Sequence, residues 1–126
     1  MKSFIISIIF FVAVAVWLNN WITSGKMDRY IKDNPHPIYT PIILKLLTQA
    51  CYDLNSPAAA IHYGQWLTQD YPGSPALPQT LYHLGLAYES LNKKDLALSQ
   101  YQVLVGSFSR SEYGDIAQQR LKKLTY

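Results

Sequence analysis

Two twelve-residue stretches decide the fold: LKLLTQACYDLN at 44–55 and LYHLGLAYESLN at 81–92. Laid one above the other at an offset of 37, they share Leu44/Leu81, Leu47/Leu84, Ala50/Ala87, Leu54/Leu91 and Asn55/Asn92. The same offset, with no gap, pairs Ala60 with Ala97, Leu67 with Leu104 and Ser74 with Ser111. Apolar matches add Cys51/Tyr88, Ile61/Leu98, Trp66/Val103 and Tyr71/Phe108. Self-similarity at a period of a few tens of residues is the mark of stacked supersecondary units.

Within each stretch the spacing is helical. Leu44, Leu47, Cys51 and Leu54 recur at steps of three and four, as do Leu81, Leu84, Tyr88 and Leu91,. The punctuation agrees with that period. Thr40-Pro41, Ser56-Pro57 and Ser74-Pro75 each pair a capping side chain with a proline that fits a first helical turn,. Asn55 and Asn92 close the first helix of each pair, and Tyr71-Pro72-Gly73 closes the second helix of the first pair. Ser109-x-x-Glu112 reads as a capping box. These signals predict helices near 41–54, 57–70, 76–91, 94–108 and 112–124.

Upstream of the repeat the chain changes character. From Phe4 to Leu18 the one polar side chain is Ser7, and no charge lies between Lys2 and Lys26. As a helix, residues 4–24 would be about 31 Å long, close to the thickness of bilayer hydrocarbon. Trp17 and Trp21 fall one turn apart near its far end, where such rings favour the lipid interface. Two readings compete: a retained single span, and a signal peptide cleaved after Ala13-Val14-Ala15. The apolar run continues past Ala15 through Leu18, which favours the span. Lys26, Arg29 and Lys32 outnumber Lys2, which alone would leave the C-terminal part in the cytoplasm; a short tail carrying Lys2 reads equally as a signal anchor with the opposite topology. Residues 26–40 hold no sustained period, and Pro35 and Pro37 favour extended backbone, so they read as a connector.

Composition narrows the function. In 126 residues, 49% are hydrophobic and 15% charged, with a formal net charge of +3, which leaves one modest domain beside the apolar leader,. Basic residues form no run longer than two and are not interleaved with aromatics, which argues against nucleic acid. The single Cys51 closes no internal bridge and occupies a packed stripe. His36, His62 and His83 are scattered, with no spacing that makes a metal set. No phosphate loop and no nucleophile elbow occurs. No enzyme activity, metal or cofactor is expected.

With Pro78 as its first residue, the second unit places Leu81, Leu84, Gly85, Tyr88, Ala97, Tyr101 and Leu104 in a pattern that resembles the tetratricopeptide repeat (TPR). Gly85 and Ala97 are small where two helices cross, and the larger residues fill the layer between them. The first unit keeps Leu44, Leu47, Ala60, Leu67 and Pro72, but carries Thr48 where the family has glycine and Gly64 where it has an aromatic residue. Ser109 replaces a family proline in the second. The turn Asp70-Tyr-Pro-Gly-Ser-Pro75 and the segment after it are similar to TPR modules of bacterial envelope proteins, those of the Tol-Pal system and of outer-membrane assembly.

Together the apolar run, the connector and the resemblance give an expected all-α chain: a transmembrane anchor (1–25), a linker (26–40) and, from the resemblance, a TPR α-solenoid (41–126) with repeats 41–74 and 78–111 and a cap helix 112–124. A solenoid of this kind has a concave face lined by the first helix of each pair. On that face Lys45, Gln49 and Tyr52 lie off the packed stripe, and their counterparts are Tyr82, Leu86 and Glu89. The resemblance implies that these six hold a protein partner. The expected function is a membrane-anchored adaptor with its soluble part outside the cytoplasm, in the periplasm. The alternative is a small accessory subunit of a large membrane complex. Two repeats are few for an independent domain, so an oligomer or a covering partner is also expected.

Overall fold

The computed structural model describes residues 1–125 and is all-helical, with seven helices and no strand among the described residues. Tyr126, the last residue of the expected repeat domain, lies outside the described residues. The chain divides into two units, Met1–His36 and Pro37–Tyr126.

The first unit holds α1 (Lys2–Thr23) and α2 (Lys26–Asp33). None of the residues of α1 is buried, and the helix is long and apolar enough to cross a membrane. Two of its hydroxyls bond back within the helix: Ser7 donates to the Ser3 carbonyl at 3.0 Å and Thr23 to the Asn19 carbonyl at 2.9 Å. Gly25 breaks the helix with φ 77°, a left-handed conformation that costs glycine little,. The sequence reads residues 26–40 as a connector, whereas 26–33 form a two-turn helix. Met27 and Ile31, one turn apart, are both buried. Eight residues are too short a window for the period to declare itself.

The second unit holds α3 (Tyr39–Asp53), α4 (Pro57–Asp70), α5 (Leu77–Ser90), α6 (Lys94–Ser107) and α7 (Glu112–Thr125). Each helix packs on the next. In addition α3 meets α5 and α5 meets α7, so α3, α5 and α7 form one layer, with α4 and α6 behind it. The core between the layers is built from Leu44, Leu47 and Cys51 of α3, Ala60, Tyr63 and Leu67 of α4, Leu81, Leu84 and Tyr88 of α5, and Ala97, Tyr101 and Leu104 of α6. Leu54 and Leu91 complete the sequence stripes but are exposed, because each is the C-cap residue of its helix.

The 37-residue period reappears in the hydrogen bonds. After α3, the Asn55 N–H donates to the Tyr52 carbonyl at 3.0 Å and the Ser56 N–H to the Cys51 carbonyl at 2.8 Å. After α5, the Asn92 N–H donates to the Glu89 carbonyl at 3.0 Å and the Lys93 N–H to the Tyr88 carbonyl at 2.9 Å. Asn55 and Asn92, at φ 60° and 57°, are the non-glycine residues with positive φ among those described. This is the paired-bond helix stop that a left-handed residue makes possible. The turns before α5 and α7 correspond too. The Ser74 Oγ accepts from the Ala76 N–H and the Ser111 Oγ from the Gly114 N–H, each at 3.1 Å. Ser111, not Ser109, therefore caps α7.

The left-handed stops give a direct expectation. Asn92→Val forces a β-branched residue into that conformation and should cost about 1–2 kcal/mol, whereas Asn92→Gly should be neutral or mildly stabilising. Urea unfolding of the two variants checks this; equal midpoints would refute it.

Candidate partner-binding surface

The layer α3–α5–α7 carries all six residues singled out from the sequence, Lys45, Gln49 and Tyr52 on α3 and Tyr82, Leu86 and Glu89 on α5. Gln49 on α3 accepts a hydrogen bond from the Gln79 side chain on α5 at 2.9 Å. Tyr52 of α3 meets His83 of α5 edge to face, with ring centroids 6.2 Å apart. His83 contacts Tyr82 at 5.3 Å, and Tyr82 contacts Tyr113 of α7 at 5.6 Å. Tyr52, His83, Tyr82 and Tyr113 thus make one aromatic row across three helices. Its tyrosines are half-buried while His83 is close to fully buried. The His83 Nδ1 lies 2.9 Å from the Gln79 carbonyl oxygen, an arrangement that puts the proton on Nδ1. Leu86 is half-buried on the same helix, one turn beyond Tyr82.

Lys45 lies at the other end of the α3 stripe, in a cleft of about 590 Å³. The cleft opens between the first turns of α3 and the α4–α5 connection. Ile38, Ile42 and Lys45 line one side, and Tyr71, Pro72 and Pro75 the other, with Asp70 at its edge. Ile38, Ile42, Lys45, Gln49 and Tyr52 follow steps of four and three along α3, so the cleft and the aromatic row share one helical stripe,.

Glu89 has a different setting. Its carboxylate takes a forked pair of bonds from Arg120 of α7, Nη2 to Oε1 at 2.5 Å and Nε to Oε2 at 3.3 Å. The Tyr101 hydroxyl of α6 donates to the same carboxylate. The two ion-pair side chains are 17% and 29% exposed, so this tie is shielded from water and fastens α5, α6 and α7 together,. Burial pushes the Tyr101 hydroxyl well above its ordinary range, and its bond to Glu89 pushes it further, against the opposing influence of Arg120. Burial works against the Arg120 charge, but Glu89 overrides it and raises that group. The Tyr113 hydroxyl is also raised, by burial first and then by the charges of Glu112 and Tyr82.

Sequence reasoning reached Lys45, Gln49, Tyr52, Tyr82 and Leu86 but not His83, Tyr113, Gln79 or the other cleft residues. Ile42 could have been found by extending the Lys45–Gln49 steps backwards. Tyr113 required treating the final helix as a third member of the first-helix layer.

Cys51 is buried on the core side of α3, and burial pushes its thiol up to about 11. The thiolate is the reactive form. At about pH 8 the folded chain should leave a disulfide reagent unreacted and release one thiol equivalent on unfolding. The sign of the pH effect follows. From 9.0 to about 11 the unfolded thiol loses its proton while the folded one keeps it, so stability falls as pH rises through that window,. A rapid native reaction would refute the expected protection. No group of three or more His, Cys, Asp or Glu among the described residues is placed to hold a metal ion.

In comparison with known proteins, no family model matches the chain and no curated protein matches it in sequence.

Proposed function

We propose that the chain is a single-pass, membrane-anchored adaptor of the TPR kind that holds another membrane or envelope protein on its α3–α5–α7 layer. The observation that carries this reading is the shared stripe of cleft and aromatic row on that layer. Apolar and aromatic anchors bounded by polar groups are what a protein-binding surface needs. The 37-residue hydrogen-bond repeat and the alternation of layers support the solenoid assignment. The apolar α1, in which Ser7 and Thr23 bond to carbonyls one turn back, supports a span, since polar groups in lipid must find partners within the protein,. On this reading the work is recognition without a covalent step. Anchoring raises the local concentration of a weak binder near its membrane partner. We place the helical unit 37–125 in the periplasm.

The test is a photo-crosslinker at Tyr82 or Tyr52 in native membranes, with identification of the captured protein. Tyr82→Ala and Leu86→Asp should each weaken capture from an unmodified position by at least about 2 kcal/mol, or thirty-fold in affinity. Folded variants that capture the partner at wild-type levels would overturn the adaptor reading. The accessory-subunit alternative has one observation in its favour. Tyr39, Ile42 and Leu46 leave an exposed apolar stripe on α3. Stoichiometric co-purification that resists high salt and survives Leu86→Asp would favour that alternative.

A further inference from the structure

We propose that α2 and the aromatic end of α1 form a seat for anionic phospholipid headgroups, with Lys26 and Arg29 as the groups that meet lipid phosphate. The inference rests on the reading of α1 as a span. It adds what the first unit does at the membrane surface.

Trp17 and Trp21 stack with ring centroids 5.5 Å apart and planes 16° apart. Trp21 in turn meets Tyr30 of α2 at 6.0 Å. In one continuous helix residues nine apart would be separated by about 13.5 Å along the axis, so this contact requires the chain to double back. The turn at Gly25 supplies that reversal. The result is a cluster of three rings where the apolar helix ends. Aromatic side chains with one polar edge settle at the boundary between headgroups and acyl chains.

The charges sit on the same side of α2 as Tyr30. Lys26, Arg29 and Tyr30 are related by steps of three and four, which places them on one helical face,. All three are exposed, Tyr30 at 53%, while Met27 and Ile31 point elsewhere and are buried. Asp33 shares the charged face but lies in its last turn, farthest from Gly25. Two cations therefore flank a ring that touches the end of the apolar helix. The layer that meets such a helix end is the phosphate layer of the bilayer. Anionic lipid draws basic residues at that level, by about five-fold for each residue.

The experiment uses the full chain reconstituted in phosphatidylcholine bilayers, with spin-labelled phosphatidylglycerol and phosphatidylcholine as probes of the lipids at its surface. A preference of roughly five-fold or more for phosphatidylglycerol is expected at low salt, shrinking at about 1 M salt where charges are screened beyond 3 Å. Lys26→Gln with Arg29→Gln should bring it close to unity. In the same samples, on a Trp66→Phe background, quenching of Trp17 and Trp21 by lipids brominated high on the acyl chain reports insertion. Quenching with no preference, or with a preference that survives the double substitution or high salt, overturns the headgroup seat and leaves the span standing. No quenching by any brominated lipid removes the span and the seat together. Quenching with a preference lost on substitution supports the proposal.

Discussion

Leu84→Ala should lower the stability of the helical unit by about 3 kcal/mol, within the 2–5 kcal/mol typical of such truncations. Leu84 is 1% exposed at the centre of α5. Opposite it, Gly64 of α4 has no side chain, and a Cβ built there would lie 2.6 Å from a Leu84 methyl carbon. Leu84 therefore fills the space that Gly64 leaves. Truncation opens a cavity that rigid helix backbones cannot close, and the melting temperature should fall by roughly 12–24 °C at 4–8 °C per kcal/mol. The specific check is the double variant. Gly64→Ala alone should destabilise by collision with Leu84, yet in the Leu84→Ala background its methyl occupies part of the cavity. Melts followed by circular dichroism should show the double variant more stable than the sum of the singles by about 1 kcal/mol. Additivity within about 0.5 kcal/mol would refute the assigned contact.

The neighbouring residue should respond to added volume in the opposite way. Gly85→Val is expected to cost about 3 kcal/mol, at the upper end for overpacking. A Cβ at Gly85 would run into the Tyr101 ring. That ring is fully buried and its hydroxyl is held by Glu89, so it has nowhere to move. Helix propensity runs the other way, since valine is favoured over glycine by a few tenths of a kcal/mol. The collision is the larger effect. Gly106→Ala is the control. A Cβ there meets nothing within 4 Å, so the propensity gain stands alone and should stabilise by about 0.5–1 kcal/mol,. Equal responses at Gly85 and Gly106 would show that the close approach of α5 and α6 is not what excludes a side chain.

These two sites also show what could be read from the chain. The close approach at Gly85 was legible only through the resemblance to the TPR pattern, which expects a small residue there; the period alone pairs Gly85 with Thr48. The departures at Thr48 and Gly64 were legible only as anomalies. At Gly64 the resolution is Leu84, which fills the space from the following helix, and a period within one pair carries no information about that. The helix boundaries were legible to within two residues because proline and asparagine act locally. The left-handed pair Asn55 and Asn92 was visible as two identical residues at one offset. Glu89 read as a groove residue by its register with Tyr52. Its bond to Arg120 depends on how α7 docks, 31 residues away in sequence, and spacing does not encode a docking angle. The row from Tyr52 to Tyr113 was hidden for the same reason. The short helix α2 was hidden because one turn of apolar spacing is indistinguishable from chance.

The two asparagine stops bear on chemical ageing. Asparagine deamidates when the amide nitrogen of the following residue attacks the side-chain carbonyl, and a serine successor offers little steric resistance. At Asn55 that nitrogen belongs to Ser56, and it is engaged with the Cys51 carbonyl at 2.8 Å; at Asn92 it belongs to Lys93, engaged with Tyr88 at 2.9 Å. The bonds that terminate α3 and α5 thus occupy the nucleophile at both positions, so succinimide formation there has to wait for local opening of the turn.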